Sequence, residues 1–194
     1  MIKNIYLDMD GVLCDFNKHY TNLFGFTPQE ARNRKGWVEY TTNWHKFVDN
    51  GEFENIPPLD GYDTILHAVA EFRREMENVG KVNIQILTSS GGKDKYERVA
   101  EQKKAWLKKH FIIYDAIVVP GRRLKQEYSN PESLIIDDTL DVIEAWRVKG
   151  GEGIHHKGDA REVVWQFWRA TTLERERKKF HEMVIMKDEY YDQE

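Results

Sequence analysis

Apolar residues gather in four short runs, at 2–7, 82–87, 116–119 and 134–136, each almost unbroken and each stopped by polar or turn-forming residues. A strand covered on one face alternates apolar with polar, whereas a parallel strand buried on both faces reads as a continuous run, so these four predict a parallel sheet. Between them lie stretches with apolar positions at helical spacing, over 64–78, 95–110 and 140–149. Strands alternating with helices predict an α/β fold with a doubly wound, Rossmann-like parallel sheet. In such sheets ligands bind beyond the carboxyl ends of the strands, so the residues that close each run are the first candidates for function.

The stretch 16–60 breaks the alternation. It is rich in aromatic and polar residues, contains no strand-like run, and closes with Ile56-Pro57-Pro58-Leu59-Asp60-Gly61. It reads as a small helical cap inserted after the first strand, placed to fold over the strand ends and exclude water. The core then comprises 1–15 and 61–170. Trp37, Trp44, Phe47 and Phe53 are candidates for stacking on a substrate ring; the alternative is that they form the cap's own core, since a small unit needs bulky residues to bury enough area. Asp159 is a candidate N-cap for an amphipathic helix start. Beyond it, a charged C-terminal helical extension is expected over 171–194, with Val184-Ile185-Met186 as its main apolar island. It docks through those few residues as a solvated helix, or it forms a homodimer contact.

The chemistry sits where the runs end. Asp8-Met9-Asp10-Gly11-Val12-Leu13 follows the first run and puts two carboxylates one residue apart on a short loop. Buried like charges there need a cation or a reaction to justify them, and Mg²⁺, which takes oxygen ligands, relieves the repulsion. A turn rich in Asp and Gly at a strand end is the plainer alternative. The second run closes with Thr88-Ser89-Ser90, and the fourth with Asp137-Asp138 ahead of a helical pattern, where helix capping is the alternative to metal binding.

These pieces, with Lys125 between the last two, resemble in order the four motifs of the haloacid dehalogenase (HAD) superfamily of phosphotransferases. Within it, Asp8-Met9-Asp10-Gly11-Val12-Leu13-Cys14-Asp15-Phe16, the cap directly after it and Leu134-Ile135-Ile136-Asp137-Asp138 look like the 5′(3′)-deoxyribonucleotidase family. The chain differs from that family in a longer stretch between Lys125 and Asp137 and in Ser-Ser-Gly-Gly after Thr88. The resemblance implies an α/β sheet of the HAD type and a Mg²⁺-dependent phosphomonoester hydrolase acting on nucleoside monophosphates through an aspartyl-phosphate. Asp8 would be the nucleophile and Asp10 the proton donor and acceptor. Thr88, Ser89 and Lys125 would bind the phosphoryl group, with the amides of Ser89 and Ser90 aimed at it. Asp8, Asp10 (through its carbonyl), Asp137 and Asp138 would hold Mg²⁺. Lys103 and Lys104 are the fallback for Lys125, although beside Lys108 and Lys109 they read as an exposed helical face. Another small phosphoester, such as a sugar phosphate or a polynucleotide end, fits the same chemistry, and a non-catalytic phosphate-ligand or protein-binding relative is the third reading.

Composition narrows the partners. The 194 residues carry a formal charge of −4, which offers no general attraction to long nucleic acid or an anionic membrane, so phosphate must be bound by a local cluster. The expected partner is a small phosphorylated substrate. One cysteine excludes an intrachain disulfide, and no apolar stretch is long enough for a membrane span or signal peptide, from which a reducing cytoplasm is expected. Cys14 reads as buried packing, and His155-His156 as a strand end near the site.

Overall fold

The computed structural model describes residues 1–172, without the side chains of Arg34, Lys35 and Trp37. Five parallel strands form one sheet: β1 (Asn4–Leu7), β2 (Asn83–Ser89), β3 (Ala116–Val119), β4 (Ser133–Asp137) and β5 (Glu152–His155), in the order β3-β2-β1-β4-β5. The expected α/β doubly wound sheet is therefore present. The fifth strand has only Ile154 as a strong apolar residue and so forms no apolar run in the sequence.

Both faces of the sheet are covered, as continuous apolar strands require. Ile5, Leu7, Ile84, Ile86, Leu134 and Ile136 pack on one side with the buried residues of α4 (Tyr62–Glu75), α5 (Tyr96–Lys109) and a helix over 160–172. Tyr6, Leu87, Val119 and Ile135 face Trp146 and Ile143 of α6 (Leu140–Val148) on the other. Asp159 accepts the amide of Arg161 at 2.8 Å at the start of the helix over 160–172. The charged extension expected over 171–194 lies outside the described residues beyond Thr172.

Register explains why the site forms. Leu7 pairs with Ile86 on one side and Ile136 on the other, so the chain crosses the same row of the sheet three times. The next residues along these strands bring Asp8, Thr88 and Asp137 to one end.

The stretch 16–60 is helical, with α1 (Phe16–Phe24), a single turn α2 (Pro28–Glu30), a wide turn over Ala31–Lys35, α3 (Trp37–Asp49) and a 3₁₀ turn over Glu52–Asn55. Asp15 caps α1 through Lys18 N, and Thr27 with Glu30 forms a capping box on α2. The insertion joins the sheet through two adjacent segments, where Asp15 N donates to Pro57 O at 2.9 Å and Leu59 N to Leu13 O at 3.0 Å. Its aromatics divide. Phe47 is fully buried, its ring 5.3 Å from Phe16 and 5.0 Å from Phe53, so it belongs to the packed interior and does not reach a ligand. Phe53 is buried as well. The Trp37 side chain lies outside the described residues.

Phe47→Ala is expected to lower the unfolding free energy by about 3–5 kcal/mol, the usual cost of truncating a buried aromatic. A denaturant melt checks this; a loss below about 1 kcal/mol would place Phe47 outside the core.

Candidate active site

Asp8 leaves β1 at its carboxyl end and is held at both oxygens. The Met9 amide donates to Oδ1 at 2.7 Å and Lys125 Nζ lies 2.8 Å from Oδ2. Lys125, buried in a 3₁₀ segment over Arg122–Tyr128, also donates to Asp137 Oδ2 at 2.7 Å. Burial would lower the pKa of this lysine, but the carboxylates of Asp8 and Asp137 outweigh it and hold the ammonium protonated.

Asp8, Asp137 and Asp138 bring carboxylate oxygens within 4.8 Å of one another. Burial first, and the charge of Asp8 second, push Asp137 up to about 7 and Asp138 up to about 6. When all three are ionised, the carboxylates around one ammonium leave two negative charges uncompensated, and the donors are all hard oxygens. A divalent cation such as Mg²⁺ fits that charge and that donor set. Asp10 does not join the carboxylate group. Its side chain is turned to Lys103 Nζ at 2.5 Å and to the Cys14 thiol at 3.6 Å.

Gly11 stands at φ +76°, and a Cβ there would come within 2.2 Å of Asp138 Oδ2, so a side chain at this turn would collide with the carboxylate. Thr139 fixes the acidic pair, its amide donating to Asp137 Oδ1 at 2.9 Å and its hydroxyl to Asp138 Oδ1 at 3.0 Å. His155 at the end of β5 meets the Asp138 carbonyl at 2.9 Å; a carbonyl only accepts, so Nε2 carries the proton there.

Lys103 is the residue that the sequence reading understated. It is fully buried on α5, contacts Asp10, donates to Thr88 Oγ1 at 2.8 Å and lies 5.0 Å from the centre of the Phe53 ring. The expected exposed lysine face therefore needs correcting at this position, since Lys104 is exposed and Lys103 is not. The signal was present in the helical spacing. Lys103 stands four residues after Val99, three before Trp106 and four before Leu107, inside the apolar stripe and not opposite it.

The loop after β2 also differs from expectation. Ser90 N donates to Val119 O at 2.9 Å, and so extends the sheet and cannot turn to a phosphate. Ser89 Oγ accepts the Gly91 amide at 3.0 Å, which tightens the turn. Thr88 is buried with its hydroxyl oxygen engaged by Lys103, which leaves its proton as a donor.

A cavity of about 510 Å³ opens over this cluster. Asp8, Asp10, Lys125 and Asp138 line its floor, while Trp44, Tyr40 and Arg32 from the insertion line its upper wall. The rings of Trp44 and Phe16 both border it, and Trp44 packs against Gly91 closely enough that a Cβ there would lie 3.0 Å from its ring. Cys14 is buried, and burial, then the charge of Asp10, pushes its thiol well up, so it is no nucleophile.

No family model matches the chain, and no curated protein matches it. Solved structures do resemble it. A phosphonoacetaldehyde hydrolase like protein from Oleispira antarctica is similar over 96% of this chain and 85% of its own, with a TM-score of 0.51 and 14% identity. A hydrolase from Pseudomonas syringae matches over 82% and 88%, with a TM-score of 0.48 and 17% identity. A HAD-superfamily hydrolase, subfamily IA, from Geobacter sulfurreducens matches over 80% and 89%, with a TM-score of 0.41 and 16% identity. The likeness to the Oleispira protein shows a shared α/β fold. No helix among the described residues is long and apolar enough to cross a membrane.

The raised carboxyl pKa values of Asp137 and Asp138 contribute to the pH response of the metal-free chain. An acid whose pKa is raised by folding contributes stability that is complete below its unfolded value near 4 and is lost as the pH rises through the folded one. The thermal midpoint without metal is therefore expected to fall as the pH rises from about 4 through the folded values of about 6 and 7. Mg²⁺ is expected to raise the midpoint more at pH 8 than at pH 5, because protons and cation compete for the same oxygens. Thermal melts with Mg²⁺ and with chelator check this; equal shifts at both pH values would contradict it.

Proposed function

We propose that this chain is a Mg²⁺-dependent phosphomonoester hydrolase that works through an aspartyl-phosphate, with a nucleoside monophosphate as substrate, in the manner of a 5′(3′)-deoxyribonucleotidase. The observation that carries the reading is the Asp8 carboxylate, fixed by the Met9 amide and Lys125 at the floor of a cavity, with Asp10 two residues on.

The assigned roles follow from these contacts. An oxygen of Asp8 attacks phosphorus and the ester P–O bond breaks, while the Asp10 carboxyl gives its proton to the departing oxygen. A water then attacks the aspartyl-phosphate, Asp10 takes its proton back, and the acyl-phosphate P–O bond breaks to release inorganic phosphate and restore Asp8. Lys125 holds Asp8 in place and faces the same cavity with a positive charge. The Thr88 hydroxyl and Lys103 orient Asp10 and the phosphoryl group. Asp8, Asp137 and Asp138 would hold Mg²⁺, which when bound supplies positive charge against the phosphoryl oxygens. The helical insertion serves as the cap that excludes water, and Trp44, at the cavity wall beside Gly91, supports stacking of a nucleobase.

The test is phosphate release from a panel of nucleoside monophosphates, sugar phosphates and an aryl phosphate, with Mg²⁺ and with chelator. Release is expected with Mg²⁺ only, to favour deoxynucleotides, and to fall by more than about 10³-fold in Asp8→Asn, because the nucleophile is then absent. No release from any substrate would overturn the phosphatase reading; a preference for sugar phosphates would overturn the nucleotidase.

Lys103→Met keeps much of the side chain's length and removes its charge. It is expected to lower kcat by roughly 10²-fold, the scale of a misplaced general acid, with a smaller change in KM. Steady-state kinetics check it, and a change confined to KM would reassign Lys103 to substrate binding.

A further inference from the structure

The cavity is larger than one phosphoryl group needs, and the strand ends and the insertion line it with different charge. Carboxylates are confined to the floor, at Asp8, Asp10 and Asp138. The insertion adds the amides of Asn17 and Gln29 and the guanidinium of Arg32 to the lining, and the segment after β3 adds Arg122. Arg122 is already matched by Asp141 at 2.8 Å. Arg32 is held differently. Its guanidinium carbon stands 4.3 Å from the centre of the Tyr40 ring, and Nη2 donates to the Tyr40 hydroxyl at 2.6 Å. Both contacts are to one uncharged side chain, Tyr40, so they fix Arg32 without cancelling its charge. A guanidinium pinned against a ring has lost much of the freedom that makes surface arginines weak ligands, and its fork of donors matches a carboxylate or phosphate.

We propose that Arg32 is a specificity-determining residue that binds a second anionic group at the far end of the substrate, so that the preferred phosphomonoesters are those carrying a second phosphate. This rests only on the phosphomonoester-hydrolase part of the reading above, for the scissile phosphate beside Asp8, and replaces the simple monophosphate as preferred substrate with one that carries a second phosphate. The second phosphate belongs to a nucleoside bisphosphate or to a sugar bisphosphate; the recognition chemistry is the same.

The test compares two substrate pairs, adenosine 3′,5′-bisphosphate with adenosine 5′-monophosphate and fructose 1,6-bisphosphate with fructose 6-phosphate, in the native chain, Arg32→Ala and Arg32→Lys. In the native chain kcat/KM is expected to favour the bisphosphate by at least about tenfold in one pair or both, and the pair that shows it identifies the source of the second phosphate. Arg32→Ala is expected to bring that ratio close to one, mainly through KM, and Arg32→Lys to recover part of it because the charge remains and the fork is lost. A native ratio near one in both pairs, or a ratio kept in Arg32→Ala, overturns the proposal. The same pairs are titrated by calorimetry against Asp8→Asn with and without Arg32→Ala, which measures binding with no turnover. Bisphosphate-selective binding that depends on Arg32, in a chain that releases no phosphate from anything, would sustain this inference while the hydrolase reading falls.

Discussion

The ion pair of Lys125 with Asp8 and Asp137 is the contact on which the strand ends depend. β1 and β4 are neighbours in register, β4 ends in Asp137 and β1 leads directly into Asp8, so the sheet itself drives like charges together. Removing the ammonium from such a buried cluster would leave charges unpaired, at a cost of about 3–5 kcal/mol. Asp138 adds a third carboxylate to the group. The strong pairing of strands thus fixes a weakness at their tips. Three carboxylates with hard oxygen donors at the edge of one cavity form a set whose charge a divalent cation would balance.

How much of this is legible in the sequence depends on what each residue answers to. Asp8, Thr88 and Asp137 are legible because they follow apolar runs, and a parallel sheet brings the ends of its strands together whatever the details. Lys125 follows from its place in the order of motifs. Lys103 is harder, because a lysine among lysines on a helix reads as solvated, and only its phase relative to Val99 and Trp106 shows that it points inward. Ser90 misleads for the opposite reason. Its position in the loop fits a phosphate contact, yet β2 runs on to Ser89 and the sheet pairing claims the next amide. Phe47 and Trp44 differ by three residues on one helix, and nothing in composition says which one faces the cavity.

Helix α5 ties the insertion over 16–60 to the sheet. Arg98, Gln102, Trp106 and Lys109 follow one another at four, four and three residues, a single stripe, and all four donate to backbone carbonyls of the insertion: Asp49, Val48, Ile56 and Glu54. Two of those acceptors, Val48 and Asp49, belong to the last turn of α3, where carbonyls outnumber helical amides, and Val48 O also accepts the Gly51 amide at 3.1 Å. The stripe therefore satisfies groups that a helix end always leaves over, and it does so with side chains from the sheet-covering layer.

Lys103 lies beside that stripe on the same helix, with Asp10 on one side and the Phe53 ring on the other. The orientation of Asp10 and the seating of the insertion are thus set by one rigid element. If 16–60 moved as a unit, it would break four hydrogen bonds to α5 or carry α5 with it, and in the second case Lys103 would leave Asp10. The seating of the insertion and the orientation of the Asp10 carboxylate are therefore coupled through α5. That coupling requires no additional device, because a helix of fourteen residues carries both sets of contacts.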